Sequence, residues 1–247
     1  MTGCSTAPVD KTAGMSPNAL YAEAKDEMST SQWDKAVPLL EKLEARAAGT
    51  PLAQQAQVDK AYAQYKSGEP AQALATLERF MKLHPASPAL DYALYLKGIV
   101  NFNDDLGMFS NVTRQDLSER DQKAAKESFE AFKELTARFP DSRYSPDARK
   151  RMAYIVNSLA QYEVHVARYY YRRGAYLAAV NRAQLAVSDY RDVPAIEEAL
   201  FIIYKSYDAM GMTKLRDDAK RVLEINYPQS EFLLKGSKGT DPWWKVW

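Results

Sequence analysis

Residues 159–192 read LAQYEVHVARYYYRRGAYLAAVNRAQLAVSDYRD, and this stretch predicts two antiparallel helices joined by a turn at Arg173-Gly174. Apolar residues recur at three- and four-residue spacing on both sides of the turn, which is the period of an amphipathic helix. The order of small residue, Tyr, Gly, Ala and Ala is typical of the tetratricopeptide hairpin. Small residues stand where the two helices would approach most closely: Ala167, Ala179, Ala183 and Ala186.

Four further copies of this pattern recur along the chain. Turn glycines stand at Gly68, Gly174 and Gly211, and the last two are 37 residues apart. One such hairpin cannot bury its own apolar face, so successive copies must stack on one another. The sequence therefore predicts an all-α fold, an α-α superhelix (solenoid) of about five tetratricopeptide-like helix hairpins. The alternative is a generic helical bundle with chance periodicity.

Two departures from the regular spacing predict local features. Pro85 and Pro140 close successive copies but are 55 residues apart, an excess of 18 that locates an insertion at 103–120. A second excess, of 14 residues, follows Pro140. Because 14 residues are close to four helical turns, they predict one long helix over roughly 145–173. The alternative is a break near Asn157-Ser158.

The two ends of the chain differ from the repeats. Residues 1–16 are predicted to be a lipidated N-terminal tether. Most of them are small and polar, which suits a flexible segment. Gly3-Cys4-Ser5 resembles the end of a bacterial lipoprotein signal, so Cys4 is predicted to be acylated; the alternative is a free thiol. Residues 229–247 form a tail rich in tryptophan, for which three roles stay open: a cap on the helices, a contact with a partner, or a contact with lipid headgroups. Its tryptophans are Trp243, Trp244 and Trp247.

The composition excludes several classes of function. The net charge is +1, so it offers no argument for a nucleic-acid partner. No apolar run reaches the roughly 18 residues that a membrane-spanning helix needs. The sequence contains no catalytic, zinc-binding or nucleotide-binding motif, and no nucleophile stands with a plausible base. We therefore predict that the protein is not an enzyme and has no catalytic residue, no metal site and no cofactor.

The first helix of each hairpin is predicted to face an inner groove through repeat positions 2, 5, 9 and 12. These positions are mostly aromatic in the N-terminal half, 17–140, and more charged in the C-terminal half, 141–228. Tyrosine combines an apolar ring with a hydroxyl group and loses little entropy on contact, which suits the binding of extended peptides. The alternative is that these tyrosines pack helix against helix. The predicted client-peptide groove consists of Tyr21, Met28, Val58, Tyr62, Tyr65, Tyr92, Tyr95 and Phe102.

Several segments together resemble one known family. They are Gly3-Cys4-Ser5, residues 20–43, residues 80–101 with DYALYLKG, the SERD sequence at 118–121, and residues 161–182 with YYYRRGAY. Through these segments the chain resembles the BamD (ComL) family, the tetratricopeptide lipoproteins of the β-barrel assembly machinery (the BAM complex).

The resemblance implies a non-enzymatic scaffold that is lipid-anchored on the periplasmic face of the outer membrane. It implies that the C-terminal half docks on the POTRA domains of a BamA-type β-barrel insertase, that accessory Bam lipoproteins also bind, and that the N-terminal half receives unfolded outer-membrane proteins. Arg168 and Arg182 are the predicted insertase-interface residues, since an arginine can bind a carboxylate through two hydrogen bonds. For Arg182 the alternative is a solvated helix residue. The alternative function is another periplasmic tetratricopeptide scaffold that coordinates cell-wall synthesis or division.

Overall fold

The computed structural model describes residues 12–102 and 122–237, and all regular secondary structure in these two ranges is helical. The predicted all-α fold of tetratricopeptide-like helix hairpins is confirmed. The helices are α1 (Pro17–Ser29), α2 (Trp33–Arg46), α3 (Pro51–Lys66), α4 (Pro70–Leu83), α5 (Leu90–Asn101), α6 (Gln122–Arg138), α7 (Ser145–Arg172), α8 (Tyr176–Asp189), α9 (Ala195–Ala209), α10 (Thr213–Asn226) and α11 (Glu231–Ser237).

The described residues pack as two compact units. Unit 1 contains the described residues up to Phe102 together with Glu130–Ser145. Unit 2 contains the described residues of Asn103–Phe129 and Pro146–Trp247. Unit 1 thus extends to Ser145, whereas the sequence predicted a boundary after residue 140.

The hairpin that decides the fold has the predicted form. Helix α7 ends at Arg172 and α8 begins at Tyr176, and Gly174 between them has a φ angle of 75°. A side chain at this angle would be strained, because the left-handed region favours glycine. The four predicted small residues have no exposed surface, so they bring α7 and α8 into close contact. They are Ala167, Ala179, Ala183 and Ala186.

The long helix predicted over 145–173 is also confirmed. Helix α7 runs for 28 residues without a break, which corresponds to a length of about 42 Å. At the point where a break was the alternative, Asn157 lies within the helix and its Oδ1 atom accepts a hydrogen bond of 3.4 Å from the backbone N–H of Ala195. This contact ties the middle of α7 to the start of α9.

The beginnings of α1 and α3 follow from their sequences. Ser16 and Thr50 each precede a proline, and each hydroxyl group accepts a hydrogen bond of 3.2 Å from a backbone N–H of the first turn. Proline fits the first helical position because the N–H that it lacks would have no partner there. Helix α1 therefore begins at Pro17, with Ser16 as its N-terminal cap.

Within unit 1, α5 and α6 approach each other closely at one glycine. A Cβ atom placed on Gly98 would lie 2.3 Å from Cε1 of Phe132, a ring that is fully buried. The Phe132 ring also lies against Tyr95 and Phe102, with centroid distances of 6.0 and 6.4 Å. Only a residue without a side chain fits here, which explains the small residue at this repeat position.

A buried ionic cluster connects α2, α3 and α4 in unit 1. Lys60 is almost fully buried, and its Nζ atom donates a hydrogen bond of 2.8 Å to Glu44 Oε2. Arg79 and Gln57 donate to Glu44 Oε1 over 2.6 and 3.0 Å. Burial raises the pKa of Glu44, but hydrogen bonding and charge from Lys60, with the charge of Arg79, outweigh burial and lower this pKa below its usual value.

Several predictions fall on residues that the structure does not describe. These are the acylation of Cys4 with most of the tether, the insertion at 103–120, and the role of the three tail tryptophans. Among residues 12–102 and 122–237, no helix is both long enough and apolar enough to span a bilayer.

Candidate protein-binding surfaces

The first helices of unit 1 carry a surface that we call the tyrosine cleft. It has a volume of about 660 Å³. Residues from α3, from the start of α5 and from the loop before α7 line it. The lining residues are Gln55, Asp59, Pro88, Ala89, Asp91, Tyr92, Arg143 and Tyr144.

Asp59 is the polar centre of one wall of the tyrosine cleft. The Tyr21 hydroxyl donates a hydrogen bond of 2.9 Å to Asp59 Oδ2, and Gln55 Nε2 donates one of 3.0 Å to Oδ1. Lys25 Nζ lies 3.6 Å from the same carboxylate. Burial, together with the charge and hydrogen bond of Asp59, raises the pKa of Tyr21 to about 12. Tyr21 therefore remains a hydrogen-bond donor at neutral pH and holds the carboxylate in place.

Stacked aromatic rings form the opposite wall. Tyr95 stacks on Tyr144 with a centroid distance of 4.8 Å and an interplanar angle of 20°, and Tyr92 lies 5.3 Å from Tyr144. The Arg143 guanidinium lies 4.7 Å from the centre of the Tyr144 ring and also donates a hydrogen bond to its hydroxyl group. Burial, followed by the nearby tyrosines and Asp59, raises the pKa of Tyr92. These rings offer apolar faces with neutral hydroxyl groups at their edges.

Charges of both signs border the tyrosine cleft. Asp91 is held by Ser142, whose Oγ atom donates a hydrogen bond of 2.7 Å to it, and by the backbone N–H of Tyr92. Arg143 lies on the same border and is exposed. A surface of this kind can bind a peptide segment in two ways at once. The rings hold an apolar side chain of the segment, and the charged groups form hydrogen bonds with its backbone or with its terminal group.

The structure corrects two of the predicted groove residues. Val58 has no exposed surface and packs with Leu77 and Phe80, and Met28 is only 8% exposed within the core around α1 and α2. Neither can line an open groove. The physical reason is that α3 lies between α2, α4 and α5. Val58, at repeat position 5 of α3, therefore points into the packed interior, whereas the neighbouring Asp59 lines the cleft.

The other predicted groove residues are half-buried. Tyr21 and Tyr92 belong to the two walls just described, and Tyr95 supports the second wall by stacking. Tyr62 contacts Trp33 edge to face at 5.7 Å. Tyr65 packs on the core of unit 1, and Phe102 lies against Phe132.

Sequence reasoning missed Asp59, Arg143 and Tyr144. Arg143 and Tyr144 belong to the loop between α6 and α7, outside the repeat positions from which the groove was predicted. The only local signal was an Arg-Tyr pair shortly after Pro140. Their contacts with α5 depend on tertiary packing.

In unit 2 the corresponding first-helix surface is ionic. Arg168 donates two hydrogen bonds of 2.7 Å to Glu198, from Nε and from Nη2. This bidentate pair borders a smaller cleft of about 310 Å³. The lining residues of the smaller cleft are Gln161, Val164, His165, Arg168, Pro194, Ala195, Glu198 and Phe232.

The second predicted interface arginine also has a partner within unit 2. Arg182 Nη1 on α8 donates a hydrogen bond of 2.9 Å to Oε2 of Glu163 on α7. Glu163 is largely buried, while the side chain of Arg182 is 39% exposed. The hydrogen bond that Arg182 donates to Glu163 is the largest cause of the raised pKa of Arg182. Arg182 is therefore not a purely solvated residue, because it compensates a buried carboxylate.

The fold and these two surfaces define the class of the chain: a helical-hairpin repeat protein of the tetratricopeptide type. The sequence model of the YfiO family, described as "Outer membrane lipoprotein", matches residues 13–222. The chain belongs to this family, and its predicted resemblance to BamD is confirmed.

Relatives from several bacteria carry the same name. The chain is 46% identical over 253 residues to the "Outer membrane protein assembly factor BamD" of Neisseria meningitidis, a match that covers 100% of this chain and 95% of the relative. It is 46% identical over 237 residues to BamD of Neisseria gonorrhoeae, covering 96% and 89%. It is 34% identical over 224 residues to BamD of Vibrio cholerae, covering 91% and 92%.

Proposed function

We propose that this protein is a non-enzymatic scaffold of outer-membrane protein assembly. In this proposal the tyrosine cleft receives extended segments of unfolded outer-membrane proteins, and unit 2 docks on the POTRA domains of the β-barrel insertase. Acylated Cys4 anchors the chain to the periplasmic face of the outer membrane, and accessory Bam lipoproteins bind as further partners. The observation that carries the proposal is the combination of relatives named assembly factors with an open aromatic cleft on the first helices of unit 1.

In this proposal the tyrosine cleft acts by binding an extended client segment, without any chemical reaction. An extended segment has side chains that alternate between two faces, so one face can lie on Tyr92 and Tyr144 while the other stays in water. The rings contribute apolar contact at little entropic cost, because each tyrosine has only two rotatable side-chain bonds and these rings already pack on one another. The cleft is thus organised before the client arrives.

The client site is tested by removing both rings of the second wall. We expect the double substitution Tyr92→Ala and Tyr144→Ala to weaken binding of a labelled extended peptide with an aromatic C-terminal residue roughly tenfold or more, since two aromatic contacts are lost. Fluorescence anisotropy with the purified chain measures this affinity.

The matched control is Tyr154→Ala, which removes a tyrosine of unit 2 that is 40% exposed. Its peptide affinity should equal that of the wild type. Circular dichroism shows whether the double variant stays folded. A folded double variant that binds the peptide as tightly as the wild type would rule out the tyrosine cleft as the client site.

The docking of the insertase is tested at Arg182. A guanidinium group has five N–H donors, so the hydrogen bond with Glu163 leaves capacity for a carboxylate of a partner. We expect Arg182→Ala to weaken binding of purified POTRA domains roughly tenfold, since a hydrogen bond between charged groups typically contributes about 1.5–3 kcal/mol. Isothermal titration calorimetry measures the change.

The control for Arg182 is Glu163→Gln, which removes the ion pair within unit 2 and keeps the arginine. If Arg182 contacts the insertase directly, this variant should keep its affinity. An equal loss in both variants would instead assign the effect to the packing of α7 against α8, and full affinity in Arg182→Ala would remove this residue from the interface.

A further inference from the structure

The last described helix, α11, packs against α9, the first helix of its hairpin in unit 2. Its Phe232 ring stacks on Phe201 of α9 with a centroid distance of 5.4 Å and an interplanar angle of 27°. Phe232 and Leu233 both pack against the core of unit 2, and Phe201 is only 3% exposed beneath them. By contrast, Leu234 on the same helix is 60% exposed. Phe232 and Leu233 therefore anchor α11, and Phe232 does so through an aromatic stack.

The surface that α11 contacts is equivalent in the repeat to the tyrosine cleft. Gln55, which lines the tyrosine cleft, stands thirteen residues before the turn glycine of its hairpin, Gly68. Gln161 and Glu198 stand at the same distance before Gly174 and Gly211, and both line the smaller cleft of unit 2 together with Phe232. The same repeat position thus lines a cleft in both units. In unit 2, α11 also lines that cleft, through Phe232.

The shortness of α11 explains why it packs against this surface of unit 2. It has seven residues, and a helix this short is not stable in water without tertiary contacts. Only a few residues separate it from the end of α10 at Asn226, so it is present near the surface at a high effective concentration. Weak contacts through Phe232 and Leu233 are then sufficient to keep it bound.

We propose that α11 is an intramolecular ligand of the first-helix surface of unit 2, and that it excludes extended client segments from this surface. The site beneath it accepts an aromatic side chain on Phe201, next to the hydrogen-bonding groups of the Arg168–Glu198 pair. The exclusion of clients rests on the function proposed above. It restricts client binding to unit 1 and leaves unit 2 free of unfolded segments.

The first test releases α11 in the full chain. We expect Phe232→Ala to increase amide hydrogen exchange in residues 231–237 roughly tenfold or more, because it removes the ring that stacks on Phe201 and holds this short helix in place. Leu234→Ala is the matched control, and it should leave exchange near the wild-type rate. Similar exchange in the two variants would overturn the assignment of Phe232 as an anchor.

The second test asks whether release of α11 uncovers a binding site. A labelled peptide with the sequence of residues 229–237 should bind the Phe232→Ala chain, and it should bind the wild-type chain at least tenfold more weakly because α11 occupies the site. The same peptide with alanine in place of Phe232 should not bind either chain. Equal binding of the unaltered peptide to both chains would overturn the proposal that α11 is a ligand of this surface.

The third test concerns the excluded client. The extended aromatic-ended peptide used for the tyrosine cleft should bind the wild type at one site and the Phe232→Ala chain at two. A single site in both chains, despite release of α11, would overturn the exclusion of clients. If the wild type binds no client peptide at all, the function proposed for unit 1 fails, while the peptide of residues 229–237 still decides whether α11 is an intramolecular ligand.

Discussion

Replacing Glu44 by alanine should lower the free energy of unfolding by about 3–5 kcal/mol, the range typical of removing one partner of a buried ion pair. Lys60, whose side chain is 7% exposed, would lose its hydrogen bond of 2.8 Å to this carboxylate. We expect the lower end of this range, because Glu41 remains 3.8 Å from Lys60 and can compensate in part. Denaturant unfolding of the full chain measures the effect.

Two comparisons separate the buried cluster from ordinary surface charge. Glu41→Ala removes the more distant and more exposed carboxylate, and it should change stability by no more than about 1 kcal/mol.

The pKa of Glu44 is lowered in the folded state. The contribution of Glu44 to the free energy of unfolding is therefore present above the usual glutamate pKa and is lost as the pH falls through the folded value. The difference between wild type and Glu44→Gln should therefore shrink in acid. A difference that stays constant with pH, or equal effects of the two alanine variants, would contradict this account.

Gly98→Ala should also destabilise unit 1, by about 1–2 kcal/mol net, because an overpacking cost of about 2–3 kcal/mol is partly offset by the better helix propensity of alanine. The added methyl group would lie 2.3 Å from the Phe132 ring, which cannot move freely because Tyr95 and Phe102 pack on it. This steric cost exceeds the roughly 1 kcal/mol that alanine gains over glycine inside a helix. Thermal and denaturant unfolding both report the change.

A second substitution checks that the clash at Phe132 is the cause. Phe132→Leu shortens the side chain that the new methyl group would meet, so adding it to Gly98→Ala should cost less than it costs in the wild type. A double-mutant cycle measures this coupling energy. Strictly additive losses would mean that Gly98 is required for another reason.

Some residues of the tyrosine cleft could be singled out from the sequence. The tyrosines of α1, α3 and α5 could be singled out because they recur at the first-helix positions of a repeat whose period is visible in the sequence. The repeat positions 2, 5, 9 and 12 indicated which helix face was available. This reasoning failed at Val58, since the repeat position alone does not say whether a neighbouring hairpin covers it.

The ion pairs could not be predicted in the same way. Arg182 and Glu163 are 19 residues apart, and Arg168 and Glu198 are 30 apart, so nothing in the local sequence connects them. Both arginines were predicted as partner-facing residues from the resemblance to the BamD family and because an arginine can bind a carboxylate through two hydrogen bonds. Their intramolecular carboxylates became visible only when the hairpins were packed.

The amino-acid sequence by itself determined the helix hairpins of this protein, its turn glycines and the excess of about four helical turns that α7 contains, while the continuity of α7 was decided by the structure. These features depend on local period, on backbone angles and on helical phase, all of which are properties of neighbouring residues. The tertiary structure alone decided that Asp59, Tyr92, Arg143 and Tyr144 share one cleft, that Glu44 compensates Lys60, and that Phe232 packs on Phe201. Each of these contacts joins residues that are distant in the chain, and their distances and burial depend on how the helices pack.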